Sequence, residues 1–249
     1  MAVNFTSDRK GNDNGVTGID ASAFTLACAV NNHQGTLSAN NVLFNVSAST
    51  DPDEFGAQIR LNTNKFPAFQ SNFSTTDGRW EWQTAVTDDI WYMFVFTYDR
   101  SSTANNARLF ANGQERTLVE TLTPVGTAQT GIDSAYVGGT NAGLALAQDA
   151  DICECLYWNR ILSDDEALAS SAGFSGLLMP RGLQLYEPWW NTSGGELIQN
   201  LTWSTTGAPT NAPHIDSLIL PSLPLVASST TAAAGVAVQQ MHYRKLMTA

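Results

Sequence analysis

The most constraining feature of the sequence is residues 91–115, which alternate apolar runs with turn-forming residues. Residues 91–98 are aromatic and β-branched, the composition that a buried strand requires. Residues 99–106 contain Ser, Thr, Asn and Asp, whose side chains satisfy turn backbone, and residues 107–111 (ARLFA) follow as a second strand. Asn112-Gly113 then predicts a two-residue type I′ hairpin, because both central residues of that turn need positive φ. The stretch therefore predicts strand, loop, strand, tight turn and strand.

Further strand signals recur at short intervals and are separated by turns rich in Asn, Ser, Thr and Asp. They cover residues 24–30, 42–48, 55–62, 66–73, 80–86, 117–122, 134–138, 150–158 and 197–204. Long helical patterns do not interrupt them. This arrangement predicts a meandering antiparallel sandwich.

One short helix is predicted after the strand at 150–158. Ser163 and Glu166 have the spacing of a capping box, in which each side chain accepts a hydrogen bond from the other residue's backbone N–H. Asp164 and Asp165 place negative charge at the positive end of the helix dipole. The helix is expected to span residues 164–172 and to end near Gly173.

Composition excludes some classes of partner. The 249 residues include 12 basic and 23 acidic side chains, a formal charge of −11. This charge disfavours binding to nucleic acid and to anionic membranes. The start of the chain lacks the pattern of a Sec signal, and no apolar run is long enough to span a bilayer. Cys28, Cys153 and Cys155 are an odd number with no metal-binding spacing, so we expect buried cysteines in a reduced compartment.

Two motifs resemble laminin-G-like domains of the concanavalin A-like jelly-roll superfamily. The first joins Trp91 and Thr97-Tyr98-Asp99 to residues 108–113 (RLFANG). The second is residues 152–168 (ICECLYWNRILSDDEAL). Its matching positions are Glu154, Tyr157, Asn159, Arg160, Leu162, Ser163, Asp164 and Glu166. The resemblance implies an all-β, two-sheet antiparallel jelly roll over residues 21–178, with an N-terminal arm at 1–20 and a C-terminal extension at 179–249.

The extension is apolar and punctuated by prolines, which excludes a long helix. It loosely resembles tails that follow such domains in structural proteins of tailed bacteriophages. We therefore expect a virion protein, most consistent with a capsid decoration protein that is made in the host cytoplasm. Its partners would be the major capsid protein or other virion proteins and further copies of itself. The expected assembly contacts, chosen for their bulk, are Trp189, Trp190, Leu220, Leu223, Leu225 and Tyr243.

The alternative is a glycan-binding adhesin of a tail or fibre that attaches to host-surface polysaccharide. Trp80 and Trp82 would share one strand face, with Arg79 and Asp77 nearby, and such residues stack on and orient sugars. Aromatic residues of sandwich strands are nevertheless more often part of the core. Asp88, Asp89 and Asp99 could supply oxygen ligands to Ca²⁺, although Asp99 is equally suited to capping its own turn. No other cofactor is expected.

Catalysis is not expected. A retaining glycosidase needs two carboxyl groups close together, and the superfamily's hydrolases place them on one strand face as E-x-D-x-E. Asp149 and Asp151 share a face here, but Glu154 would fall on the opposite one. Neither a Ser/His/Asp set nor a phosphate-binding loop is evident.

Overall fold

The computed structural model describes residues 2–6, 9–12, 15–37, 40–48, 55–139, 149–188, 196–199, 201, 203–206 and 210–214. Their secondary structure is almost entirely β. The strands are β1 Ala2–Thr6, β2 Arg9–Asn12, β3 Ala23–Asn32, β4 Asn41–Ser47, β5 Phe55–Leu61, β6 Pro67–Ser71, β7 Gly78–Glu81, β8 Trp91–Asp99, β9 Arg108–Ala111, β10 Gln114–Arg116, β11 Val119–Leu122, β12 Ser134–Val137, β13 Asp149–Trp158, β14 Leu183–Glu187, β15 Ser204–Thr206 and β16 Thr210–Ala212. One α-helix, α1 Asp164–Ser171, and one 3-10 turn, Gly176–Leu178, complete the described part.

The strands form two antiparallel sheets, which confirms the predicted jelly-roll sandwich. Sheet A has the order β10-β9-β8-β3-β13-β1-β16, and β14 also pairs with β13. Sheet B has the order β11-β7-β6-β5-β4-β12-β2-β15. The predicted hairpin is present, since β8, β9 and β10 are consecutive neighbours and Asn112 and Gly113 have φ of 50° and 74°.

Aromatic side chains fill the space between the sheets. Phe24 and Tyr98 of sheet A meet Phe69 of sheet B, and Trp80 lies 4.8 Å from Tyr98 between ring centroids. All four are at most 1% exposed. Burying several such rings supplies much of the driving force for the sandwich. Cys28, Cys153 and Cys155 are buried and form no disulfide.

Strands from near both ends of the described residues complete the two sheets. β1 and β2, from the predicted N-terminal arm, lie in sheet A and sheet B respectively. β16 pairs with β1, and β15 pairs with β2, so strands from the predicted C-terminal extension complete the same sheets. The sequence pattern did not predict these strands, because each has only three to five residues and β2, β15 and β16 lack alternating apolar residues.

Helix α1 begins and ends where the capping residues predict. The Ser163 side chain accepts a hydrogen bond from Glu166 N, and the Glu166 carboxylate accepts one from Ser163 N, at 3.3 and 2.9 Å. Gly173 follows with φ of 93°, which stops the helix. No helix in the described ranges is long and apolar enough to cross a membrane.

Candidate functional site

A row of polar side chains crosses the outer face of sheet B. Strand pairing places Arg79 beside Gln70, Gln70 beside Gln58, Gln58 beside Asn45, and Asn45 beside Tyr136. The neighbouring row, which includes Trp80, Phe69 and Ile59, points into the core, so the polar row faces outward. At about 4.8 Å per strand, the row extends about 19 Å from β7 to β12.

The amides at the centre of this row are shielded from water, and their oxygens have no hydrogen-bond donor in the described ranges. Asn45, Gln58 and Gln70 are 1%, 3% and 7% exposed. Their amide oxygens accept no hydrogen bond within the part of the chain that the structure describes. Gln70 does donate through Nε2 to Asp77 Oδ2 at 2.7 Å, so its oxygen is left for another donor. A buried polar atom without a partner costs about 1–3 kcal/mol, which makes such a set unusual in a native protein.

Arg60 lies next to the amides on the same face, since it is two residues from Gln58 along β5. It is 7% exposed, and its Nε and Nη2 have no acceptor among the described residues. Burial, together with the nearby charge of Arg79, lowers the pKa of Arg60 to about 10. The face therefore offers shielded acceptors and shielded donors side by side, which is the complement of a ligand rich in hydroxyl groups.

A second feature, the edge cleft, lies where the chain crosses from β10 of sheet A to β11 of sheet B. It has a volume of about 500 Å³. Its wall is formed by Trp80, Asn106, Ala107, Arg108, Glu115, Arg116, Thr117, Leu118 and Glu120. The Trp80 indole donates to Asn106 Oδ1 at 2.9 Å, and the Arg116 guanidinium lies 5.0 Å above the centre of the Trp82 ring.

The four residues predicted for glycan binding are neighbours, but they do not form an exposed aromatic platform. Trp80 is 1% exposed and packs on Phe69 and Tyr98, so it belongs to the core. β7 ends at Glu81, and Trp82 is half-buried beneath Arg116. Arg79 lies on the outer face and donates to Thr121 Oγ1 at 2.9 Å, while Asp77 accepts from Gln70. Arg79 and Asp77 therefore border the polar row of sheet B.

The three aspartates considered for Ca²⁺ are not brought together. Asp88 and Asp89 precede β8 and Asp99 ends it, a separation of about 25 Å along the strand. Asp88 is bound to Lys65, at 2.9 Å, and Asp89 to His33, at 2.7 Å. Asp99 accepts from Ser101 N and caps its own turn. No group of three His, Cys, Asp or Glu side chains in the described ranges is arranged to hold a metal ion.

The carboxylates weighed for hydrolysis are bound to other side chains. Asn4 donates to both Asp149 and Asp151, and His33 Nε2 lies 2.9 Å from Asp151. Glu154 is 1% exposed, has φ of 52° at an irregularity of β13, and accepts a 2.6 Å hydrogen bond from Tyr186. Glu154 thus links β13 to β14.

The residues predicted for assembly lie outside the described residues: Trp189, Trp190, Leu220, Leu223, Leu225 and Tyr243. The virion and capsid predictions that depend on them stay predictions. The sequence reasoning also missed the polar row. Its signal was available, since Asn45, Gln58 and Gln70 alternate with core residues in three successive predicted strands.

The sequence and the fold are both similar to those of known proteins. Residues 10–167, more than half of the chain, match the Laminin_G_3 family, described as the concanavalin A-like lectin/glucanases superfamily. No curated protein sequence matches. A candidate carbohydrate-binding protein from Bacteroides ovatus ATCC 8483 is similar in structure, with a TM-score of 0.59 and 15% identity. That alignment covers 86% of this chain and 61% of the Bacteroides chain, so this chain spans under two thirds of that protein.

Two further solved structures are similar at lower scores. The heptameric SAP-like pentraxin of Limulus polyphemus has a TM-score of 0.49 and 10% identity, covering 80% of this chain and 94% of its own. The Ruminococcus gnavus IT-sialidase CBM40, bound to α2,3-sialyllactose, has a TM-score of 0.46 and 16% identity, covering 60% and 82%. At these identities the likeness concerns the fold alone. The family match over residues 10–167 and the two-sheet jelly roll together show that the chain belongs to the concanavalin A-like lectin/glucanase superfamily.

Proposed function

We propose that this protein is a non-catalytic carbohydrate-binding module that binds a glycan on the outer face of sheet B. The observation that carries the proposal is the set of shielded, unpaired polar atoms on Asn45, Gln58, Gln70 and Arg60. Sugar hydroxyls both donate and accept hydrogen bonds, so one ligand can satisfy the amide oxygens and the guanidinium together. The name of the similar Bacteroides protein and the lectins of the superfamily support the same class of ligand.

An adhesin on host polysaccharide, the alternative in the sequence analysis, is one setting for such a module. Binding rather than hydrolysis is proposed because Asp149 and Asp151 are engaged by Asn4 and His33. Because bulk water does not reach the amides, the chain must move for a ligand to enter. Association is therefore expected to be slower than about 10⁵ M⁻¹ s⁻¹.

An unpaired buried polar group that binds a ligand lowers the stability of the free protein. Replacing it with an apolar group should therefore raise stability and abolish binding, and the test measures both effects. Gln58→Met keeps the shape of the side chain and removes the unpaired oxygen, so it is expected to raise the free energy of unfolding by about 1 kcal/mol and to abolish glycan binding. Gln70→Met also breaks the hydrogen bond to Asp77, so it should abolish glycan binding without this gain in stability. Urea denaturation measures the first effect. A glycan array, followed by affinity electrophoresis with the glycans that bind, measures the second.

Thr25→Val is the matched control. Thr25 is fully buried in sheet A, where its hydroxyl donates to Arg160 O and accepts from Leu162 N. Its loss should lower stability by about 1–3 kcal/mol and leave glycan binding unchanged. The proposal fails if the unaltered protein binds no glycan, or if Gln58→Met loses stability while binding persists.

A further inference from the structure

The edge cleft is the open end of the sandwich, separate from the polar row. Residues 117 and 118 carry the chain from β10, at the edge of sheet A, to β11, at the edge of sheet B. Trp80, Ala107 and Leu118 contribute apolar surface, and charged side chains surround them. The volume of about 500 Å³ lies within the range of small-molecule sites.

The charged side chains around the cleft differ in how many of their donor and acceptor atoms already have hydrogen-bond partners. Arg108 donates to Glu115 at 2.8 Å and to Asp164 at 2.6 and 3.0 Å, so its guanidinium is held. Arg116 is positioned over Trp82, but its shielded Nε has no acceptor among the described residues. Glu120 accepts from the Thr123 hydroxyl and keeps further lone pairs for a ligand.

These groups select against charged ligands. A free carboxylate would meet Glu115 and Glu120 as well as Arg116, and an amine would meet both arginines. A neutral ring with neighbouring hydroxyl groups can accept from Arg116 and donate to Glu120, while its C–H surface covers Leu118 and Ala107. Stacking on Trp82 restricts the motion of the Arg116 guanidinium. The side chain therefore loses less conformational entropy when a ligand binds.

We propose that the edge cleft is a second ligand site, which binds one neutral sugar unit between Arg116 and Glu120. The proposal rests on the proposed function for the class of ligand but on different residues for the site. Together the two sites would let one module hold a polysaccharide at two places, which strengthens binding to a chain over binding to a single sugar.

The test follows individual side chains by ¹H–¹⁵N NMR of the 249-residue protein. Glucose, galactose, mannose and N-acetylglucosamine are added separately, and the Arg116 Nε–H and Trp82 indole N–H signals are recorded. At least one sugar should move both signals saturably, with a Kd in the millimolar range. Arg116→Met and, separately, Glu120→Gln should each raise that Kd at least tenfold, whereas Arg181→Met, a matched change at an exposed arginine, should not.

Two arms separate the alternatives. Sodium acetate and glucuronate should move the signals less than the neutral sugars, and an equal or larger effect of acetate would show an anion site and overturn the proposal. Gln58→Met should leave the cleft response intact, so loss of glycan binding at sheet B and loss of the cleft response are scored independently. Absence of a saturable shift with all four sugars would also overturn the proposal.

Discussion

At the scale of single residues, His33 is the clearest titrating group. Its ring lies between two carboxylates, with Nδ1 2.7 Å from Asp89 and Nε2 2.9 Å from Asp151. Burial lowers the pKa of His33. The hydrogen bonds with Asp89 and Asp151 and the charge of Asp149 together raise it by a larger amount, so the net pKa lies above its usual 6.5. The charged ring therefore joins β3, the loop before β8 and β13.

The sign of the pH effect follows from this raised pKa. Because the folded protein holds the proton more tightly, the stabilisation is complete below pH 6.5 and is lost as the pH rises through the raised value. Relative to His33→Gln, the natural protein should be about 1–2 kcal/mol more stable at pH 6, and the difference should shrink at alkaline pH. Urea titrations from pH 5 to 10 measure it. A difference that grew with pH would contradict this account.

Such residue-scale features are the hardest to predict from sequence. His33 and Asp151 are 118 positions apart, and no local pattern joins them. Trp80 and Trp82 show the same difficulty at short range, because strand β7 ends between them and their environments differ. Asp99, in contrast, accepts a hydrogen bond from the backbone of Ser101, only two positions away. Its capping role was therefore predictable from the sequence.

At the scale of elements, the hairpin turn between β9 and β10 depends on its glycine. Gly113 has φ of 74°, and a Cβ there would also lie 3.4 Å from the Cβ of Ala172 in the helix C-cap. Gly113→Ala should destabilise the fold by about 1–2 kcal/mol, because the left-handed conformation is unfavourable for alanine. Gly35→Ala is the control, since its Cβ would meet its nearest atom at 3.9 Å. Equal thermal denaturation midpoints for the two variants would contradict the prediction.

The start of α1 gives an independent element-scale prediction. Ser163→Ala removes the side chain that caps Glu166 N and should cost about 1 kcal/mol. Asp165→Asn changes only an exposed charge in the first turn and should lower stability by a few tenths of a kcal/mol. Denaturation in guanidinium chloride distinguishes the two. Similar losses for both variants would mean that charge, rather than the cap, stabilises the helix start.

The elements that the sequence predicted share a cause. The Asn112-Gly113 turn, the Ser163–Glu166 box and the apolar strands β3, β8 and β13 are encoded by residues close together in the chain. β2 (RKGN) has neither β propensity nor an apolar face, and it is a strand because it lies between β12 and β15. Tertiary pairing of this kind overrides local propensity, so the sequence alone assigned it to an arm.

At the scale of the whole molecule, strands from near the two ends of the described residues stabilise each other. β1 pairs with β16 in sheet A, and β2 pairs with β15 in sheet B. Gln199 adds a third link, because its amide accepts from Thr17 N and Oγ1 and donates to Thr17 O and Gln184 O. The described residues of the predicted arm, domain and extension therefore belong to one set of contacts, and we expect them to unfold together.

Gln199→Ala tests that coupling. The change removes the hydrogen bonds through which Gln199 links Thr17 to Gln184, so we expect a loss of about 1–3 kcal/mol. The unfolding transition should remain single, with tryptophan fluorescence and far-UV circular dichroism giving the same midpoint. Gln83→Ala, at an exposed glutamine, should leave the midpoint unchanged. If Gln199→Ala instead split the transition in two, the paired strands β1, β2, β15 and β16 would form a separate unit, and the whole sandwich would not be the cooperative unit of this fold.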